Sequence, residues 1–193
     1  MDSPLVSVIV PCYNSENFVA ATIESILNQS ILYWELILVD DGSKDQTGEI
    51  ISAYSLMDSR IKSFHKENGG TSHSRNFGFS KTADSSKYIF FLDHDDQLES
   101  KALLTLCTYL ENNPEVGLVG CQYSDVDKDG IKLNSGKRSR WAPGFIFPHK
   151  LSDKEIETPF VTFFLRHWTG SFCSFSKICI YKNRWMGNQF LAS

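Results

Sequence analysis

Tyr88-Ile89-Phe90-Phe91-Leu92-Asp93-His94-Asp95-Asp96 places three carboxylates within four positions, directly after a five-residue apolar run. A short apolar, aromatic-rich run with an abrupt polar stop reads as a buried strand. Carboxylates this close repel one another and ionise together only when a cation or strong donors neutralise them. A divalent metal carrying a phosphate-rich ligand meets that need, so the stretch reads as a candidate reaction centre at the end of a strand.

The same grammar recurs on either side. Leu5 to Val10 is an apolar run closed by Pro11, and Glu35 to Val39 ends at Asp40-Asp41-Gly42-Ser43. Ser15 offers a helix N-cap, and the spacing of Phe18, Val19, Thr22, Ile23, Ile26 and Leu27 predicts a helix over roughly Glu16 to Gln29. Ser43 followed by Gln46 resembles a capping box for a helix carrying Ile50, Ile51 and Tyr54. Ile61 to His65 reads as a short strand, Asn68-Gly69-Gly70 as a loop and Thr71 to Lys81 as a helix. Ser100 to Asn112 is a helix with Leu103, Leu106, Cys107 and Leu110 on one face, and Val116 to Cys121 is a fifth strand. Strands alternating with helices predict an α/β fold with a mostly parallel sheet, in which ligands bind beyond the carboxyl ends of the strands. The polar clusters 11–14, 40–43 and 93–96 all fall at such ends. Beyond Cys121 the pattern is weaker. Asp127 to Gly130 reads as a hairpin turn, 134–150 as a basic, aromatic loop and 152–167 as a helical segment. Phe172 to Phe175 and Ile178 to Tyr181 read as short strands.

The chain has 193 residues, 41% hydrophobic and 22% charged, which suits one globular domain. A net charge of −4 argues against a general nucleic-acid binder. No Asp or Glu occurs from Pro159 onward, however, so a basic C-terminal face is expected. Five cysteines with no C-x-x-C pair point to a reducing compartment and away from zinc. The first residues resemble no signal peptide, and no apolar run approaches the ~20 residues that span a bilayer. A cytoplasmic location is expected.

Asp93 and Asp95 form a D-x-D pattern able to share Mn²⁺ or Mg²⁺, which prefer oxygen ligands. Such a metal bridges a diphosphate and neutralises a leaving phosphate. The bland alternative is a solvated acidic turn. An ionised carboxylate at Asp40-Asp41 can accept from a base N–H or a ribose hydroxyl, or it can simply cap the following helix. Arg75, early on its helix, suits a diphosphate because its planar fork donates paired hydrogen bonds, but taken on its own a surface Arg in a salt bridge is the favoured reading. His94, between the acids, is read as structural, because strand alternation points it away from Asp93 and Asp95. Trp141, Trp168 and Trp185 are candidates for stacking on sugar rings or for the core. Neither G-x-x-x-x-G-K-[ST] nor G-x-G-x-x-G occurs.

Taken in order, Val6-Ser7-Val8-Ile9-Val10-Pro11-Cys12-Tyr13-Asn14, Val39-Asp40-Asp41-Gly42-Ser43, Asn68-Gly69-Gly70 with Arg75-Asn76-Phe77-Gly78, and Phe91-Leu92-Asp93-His94-Asp95-Asp96 resemble the family 2 glycosyltransferases. The resemblance runs from Leu5 to about Cys121. It implies a GT-A fold, a Rossmann-type α/β/α sandwich, with a nucleotide-sugar donor and inverting transfer. Pro11, Tyr13 and Asn14 would line the nucleotide pocket. Asp41 would hold the base, most often uracil, and Arg75 would approach the base or diphosphate. Asp93 would contact ribose or metal, and Asp95 would coordinate the metal. His73-Ser74 departs mildly from the small residues the family often carries before its arginine.

The chain is therefore expected to be a single domain over 1–193. Residues 5–121 would form the nucleotide-sugar-binding half and 122–193 part of an acceptor-side half. Inverting transfer needs a base for the acceptor hydroxyl. The resemblance implies an Asp after a segment like Phe172 to Phe190, yet no acid follows Glu157. The expectation is a chain that stops before its base, with Asp153, Glu155 and Glu157 as fallback candidates. The acceptor would be a polysaccharide or a lipid-linked sugar, with peripheral membrane contact through the basic face. Two alternatives stand beside this reading: a nucleotide-sugar-binding domain without turnover, and a nucleotidyltransferase.

Overall fold

A computed structural model describes residues 5–114, 116–120, 147–148 and 179–182. Strands β1 (Val6–Cys12), β2 (Trp34–Asp40), β3 (Ile61–His65) and β4 (Tyr88–Phe91) alternate with helices α1 (Val19–Leu27), α2 (Thr47–Met57) and α3 (Thr71–Phe79). Helix α4 (Ala102–Asn112) and strands β5 (Val116–Gly120), β6 (Phe147–Pro148) and β7 (Cys179–Lys182) follow. The sheet order is β3-β2-β1-β4-β7-β5-β6. Its first four strands are mutually parallel, whereas β7 runs antiparallel to both β4 and β5, and β6 antiparallel to β5. This is an α/β fold of the doubly wound kind, with the reversal of strand order falling between β1 and β4.

Both faces of the sheet are covered. Val6, Val8, Val10, Leu36 and Leu38 point to a core completed by Val19, Ile23 and Ile26 of α1, Ile51 of α2 and Leu103, Leu106, Cys107 and Leu110 of α4. The alternate residues Ile9, Ile37, Val39 and Ile89 pack instead against Phe77 and Phe79 of α3 and Phe64. Burial on both sides explains why β1 and β2 read as unbroken apolar runs rather than alternating ones. Helix α3 lies tight on the sheet. A Cβ on Gly78 would stand 2.5 Å from Ile9 Cγ2 and 3.2 Å from Val39 Cγ2, so only glycine fits there.

The structure moves several expected boundaries. β1 continues through Pro11 to Cys12. On the β4 side the ladder ends where Leu92 N–H bonds Ile9 O, so the N–H that Pro11 lacks has no strand to face. Helix α1 begins at Val19, not Glu16, and Ser15 does not cap it through its side chain. The Ser15 carbonyl accepts from Phe18 and Val19 instead. The Ser43–Gln46 capping box does not form either. Asp45 Oδ1 accepts the Thr47 N–H at 3.0 Å and Glu16 Oε2 accepts the Gln46 N–H at 2.9 Å, so the start of α2 is satisfied by other acids. The strand expected at 178–181 appears as β7, one residue later. The hairpin turn at 127–130, the segment 152–167 with Asp153, Glu155 and Glu157, the strand at 172–175 and Trp141, Trp168 and Trp185 lie outside the described residues. Among the described residues, no helix is long and apolar enough to cross a membrane.

Candidate functional site

Because β1, β2 and β3 are parallel and in register at their ends (Cys12 beside Asp40, Asp40 beside His65), the loops that follow them emerge together on one edge. The loop after β1 turns at Asn14, whose φ of 47° lies in the left-handed region that Asn tolerates better than most residues. Its N–H donates to Ser43 Oγ at 3.0 Å, and its Oδ1 accepts from Lys44 N–H at 2.9 Å. Beside it, Glu16 N–H donates to Asp45 Oδ2 at 3.1 Å and Ser15 N–H to Thr47 Oγ1 at 2.7 Å. The loops after β1 and β2 are thus latched by reciprocal hydrogen bonds. Tyr13, between the strand end and this turn, keeps 42% of its surface exposed.

Asp40, the last residue of β2, and Asp41 just beyond it are both buried. Asp40 accepts the Ser43 N–H at 3.0 Å and pairs with His65 Nδ1 at 3.2 Å. Asp41 is 3% exposed. Its Oδ1 accepts from the Lys66 ammonium and, at 2.9 Å, from Gly69 N–H, while Oδ2 accepts from Gly70 N–H at 2.7 Å. Burial alone pushes the Asp41 carboxyl up, but the Lys66 ammonium and further hydrogen-bond donors, the Gly69 N–H, the Ser74 hydroxyl and the Gly70 N–H, outweigh it and hold the group below the usual carboxylate range. Asn68 Nδ2 donates to Asp41 O at 2.9 Å, and Lys66 N–H to Asp40 O at 3.0 Å. Gly42, at φ 74°, lets the two loops touch, since a Cβ there would meet Asn68 N at 3.0 Å.

β4 is short, and the chain turns at once. Asp96 N–H bonds Asp93 O at 3.1 Å, closing Asp93-His94-Asp95-Asp96 into a tight turn. This revises the reason His94 leaves the acids. A turn, not strand alternation, directs its ring to Pro11 O at 3.2 Å, while its carbonyl accepts from Thr22 Oγ1 at 2.7 Å. Carboxylate oxygens of Asp93, Asp95 and Asp96 all lie within 4.8 Å of one another, with Asp95 exposed and its neighbours half-buried. Arg75, buried on α3, reaches this turn and hydrogen-bonds Asp93 Oδ1 through Nη2, its guanidinium 5.9 Å from the Phe91 ring centre. Three hard oxygen donors that converge at a partly open turn suit a divalent cation.

The structure therefore brings Arg75 to Asp93, and Asp93 to Asp95, and collects Pro11, Tyr13, Asn14 and Asp41 on the same edge. Reading the sequence as a D-x-D pair left out Asp96, although its charge stood in plain view. It also missed Lys66 and the Asn14–Ser43 latch, because neither follows a spacing rule.

A family model, Glycosyl transferase family 2, matches residues 7–171. The uncharacterized glycosyltransferase EpsJ of Bacillus subtilis (strain 168) is 37% identical over 85% of this chain and 43% of its own length. The minor teichoic acid biosynthesis protein GgaA of the same organism is 39% identical over 67% of the chain and 30% of its own. Residues 1–349 of S. aureus TarS, solved in complex with UDP-GlcNAc, superpose with a TM-score of 0.58 at 26% identity, covering 66% of this chain and 37% of that one. The chain thus spans less than half the length of these relatives. The family match over residues 7–171 and the superposition on TarS make the fold GT-A, and the chain belongs to glycosyl transferase family 2.

Proposed function

We propose that this chain is the donor-binding part of a glycosyltransferase that takes a sugar from a nucleoside-diphosphate donor, UDP-linked by preference, and transfers it with inversion to a saccharide or lipid-linked acceptor. One observation carries the reading: Arg75 and the Asp93–Asp95–Asp96 turn converge at the carboxyl edge of the parallel strands, where α/β sheets bind ligands. S. aureus TarS, of the same fold, binds UDP-GlcNAc, which supports a nucleotide-sugar donor. GgaA is named for minor teichoic acid biosynthesis, which supports a surface-polymer acceptor. Family membership favours glycosyl over nucleotidyl transfer.

In this reading residues 5–121 form the donor half and 122–193 belong to the acceptor side. Asp95, with Asp93 and Asp96, would hold Mn²⁺ or Mg²⁺, which when bound would supply positive charge beside the donor diphosphate. Arg75 is pre-oriented by Asp93 and adds a fixed positive charge beside the diphosphate. Pro11, Tyr13 and Asn14 border the nucleotide, the exposed Tyr13 ring offering it a flat apolar face. A cytoplasmic site of action with peripheral membrane contact through the basic C-terminal third completes the proposal. Equal sedimentation with anionic and neutral liposomes would remove that last element. The donor site itself is tested by calorimetry. UDP should bind in the presence of Mn²⁺, and Asp95→Ala should weaken metal-dependent binding by about tenfold or more. Equal affinity with and without metal would defeat the metal assignment.

A further inference from the structure

Between β4 and α4 the chain runs through residues 92–101 with neither helix nor strand. Backbone groups in such a stretch must find their partners elsewhere. Several find them on α1 and the residues just past it. The Thr22 hydroxyl donates to His94 O at 2.7 Å, and Leu98 N–H donates to Ser25 Oγ at 3.1 Å. Gln29 donates from Nε2 to Glu99 O at 2.9 Å and accepts at Oε1 from Leu103 N–H at 3.1 Å. Ser30 N–H donates to Ser100 O at 2.8 Å. Thr22 is 1% exposed and Gln29 5%, and polar groups so buried are costly unless they are bonded. Thr22, Ser25 and Gln29 all take partners from this one segment.

The first of these anchors lies inside the acidic turn. His94 stands between Asp93 and Asp95 and is held from two sides. Its carbonyl accepts from Thr22, and its ring Nδ1–H donates to Pro11 O at 3.2 Å. The carboxylate oxygens of Asp93, Asp95 and Asp96 lie within 4.8 Å of one another, and like charges at that spacing push a turn apart. The His94 carbonyl belongs to the peptide that leads into Asp95. Fixing that carbonyl fixes the direction from which the Asp95 side chain leaves the backbone.

We infer that Thr22 is a positioning residue for the cation site, with Ser25 and Gln29 anchoring the segment behind it. The polar side chains of α1 and its C-terminal end hold the acidic turn in the arrangement that a divalent cation needs, before the cation arrives. The inference rests on the nucleotide-sugar reading above and adds which residues shape its metal centre in advance. Ligands held in place bind a metal more tightly, because their ordering is already complete in the folded chain. Thr22 is buried, so it acts on a cation only through the turn.

The test is calorimetry of UDP over a series of Mn²⁺ concentrations, with thermal midpoints beside it. It is run on the parent protein and on Thr22→Val, Thr22→Ser, Ser25→Ala and Ile26→Val. Thr22→Val keeps the shape and removes the hydroxyl. Ile26→Val loosens the core on the same helix and leaves the tethers of the turn in place. The Mn²⁺ concentration for half-maximal UDP binding should rise about tenfold in Thr22→Val, with UDP affinity at saturating Mn²⁺ within about threefold of the parent. Thr22→Ser should bring the metal requirement back to within about threefold of the parent, and Ser25→Ala should raise it about threefold. An unchanged metal requirement in folded Thr22→Val overturns the inference. If Thr22→Val does not fold, an unchanged requirement in Ser25→Ala overturns it instead. An equal rise in Ile26→Val overturns it too, by tracing the effect to the stability of the helix. So does a loss of UDP affinity that saturating Mn²⁺ does not recover, the result expected if the whole pocket loosens. A parent protein that binds UDP equally with and without Mn²⁺ overturns the metal assignment, and one that binds no UDP overturns the donor reading; this inference falls with either.

Discussion

At the residue scale, the acids of the site differ in what they face. Asp93 and Asp95 face a neighbouring helix or solvent, while Asp41 faces inward to an ammonium and two backbone donors. That difference gives Asp41 a signature in acid. Its folded-state pKa is lowered from 3.8, so its stabilisation is present above the unfolded value and disappears as pH falls through the folded one. Asp45 and Asp58 are lowered too. Burial raises Asp45 while Thr47 and Glu16 bonds outweigh it, and the Arg60 bond leads at Asp58, so several groups share the acid limb. Asp41→Asn should lower the thermal midpoint near neutrality, and the gap to the parent protein should narrow below about pH 4. A gap that stays constant across a pH series of melting curves would show that the charge of Asp41 contributes nothing. The candidate acids themselves were legible as letters, because a dense cluster after an apolar run has few benign explanations. Their partners were not: Lys66 reaches Asp41 across 25 positions, and no local spacing encodes that contact.

At the element scale, α3 is the helix that brings Arg75 to Asp93, and its position depends on an absent side chain. Gly78→Ala would push a methyl group into Ile9 Cγ2, a branched atom held in a central strand, so the helix must lift or the strand must yield. Overpacking of this kind costs about 1–3 kcal/mol, readable from urea denaturation. Lifting α3 also drags Arg75, one turn earlier, away from Asp93. The variant should therefore lose nucleotide affinity under conditions where it is fully folded, and unchanged affinity would uncouple the two positions. The elements themselves were plain in advance. Helical spacing named the buried face of α4, Leu103, Leu106, Cys107 and Leu110, residue for residue. The caps were misread because the Ser15 and Ser43 hydroxyls engage Thr47, at the start of α2, and the Asn14 N–H, rather than the helices that follow them. Capping rules see only neighbours in sequence, and here the competing partners come from another loop.

At the scale of the whole molecule, the four parallel strands follow sequence order, but the strand lying against β4 comes from Cys179–Lys182. No periodicity could announce that pairing, since it joins segments separated by most of a domain. Without β7, β4 becomes an open edge of aromatic and apolar residues, a template for pairing with other chains. Truncation after residue 178 should therefore convert the protein to aggregates in size-exclusion chromatography, and a monodisperse truncated form would count against the strand's sealing role. The same placement has a consequence for biosynthesis. β4 leaves the ribosome about ninety residues before β7, which at roughly 5–20 residues per second is an interval on the order of five to twenty seconds. For that time the nascent chain carries a nearly finished parallel sheet with one raw margin, directly beside its acidic turn. Holdase chaperones that shield extended apolar segments have their natural client in that interval, and slow codons between the two strands would lengthen the exposure without changing a single residue of the finished chain.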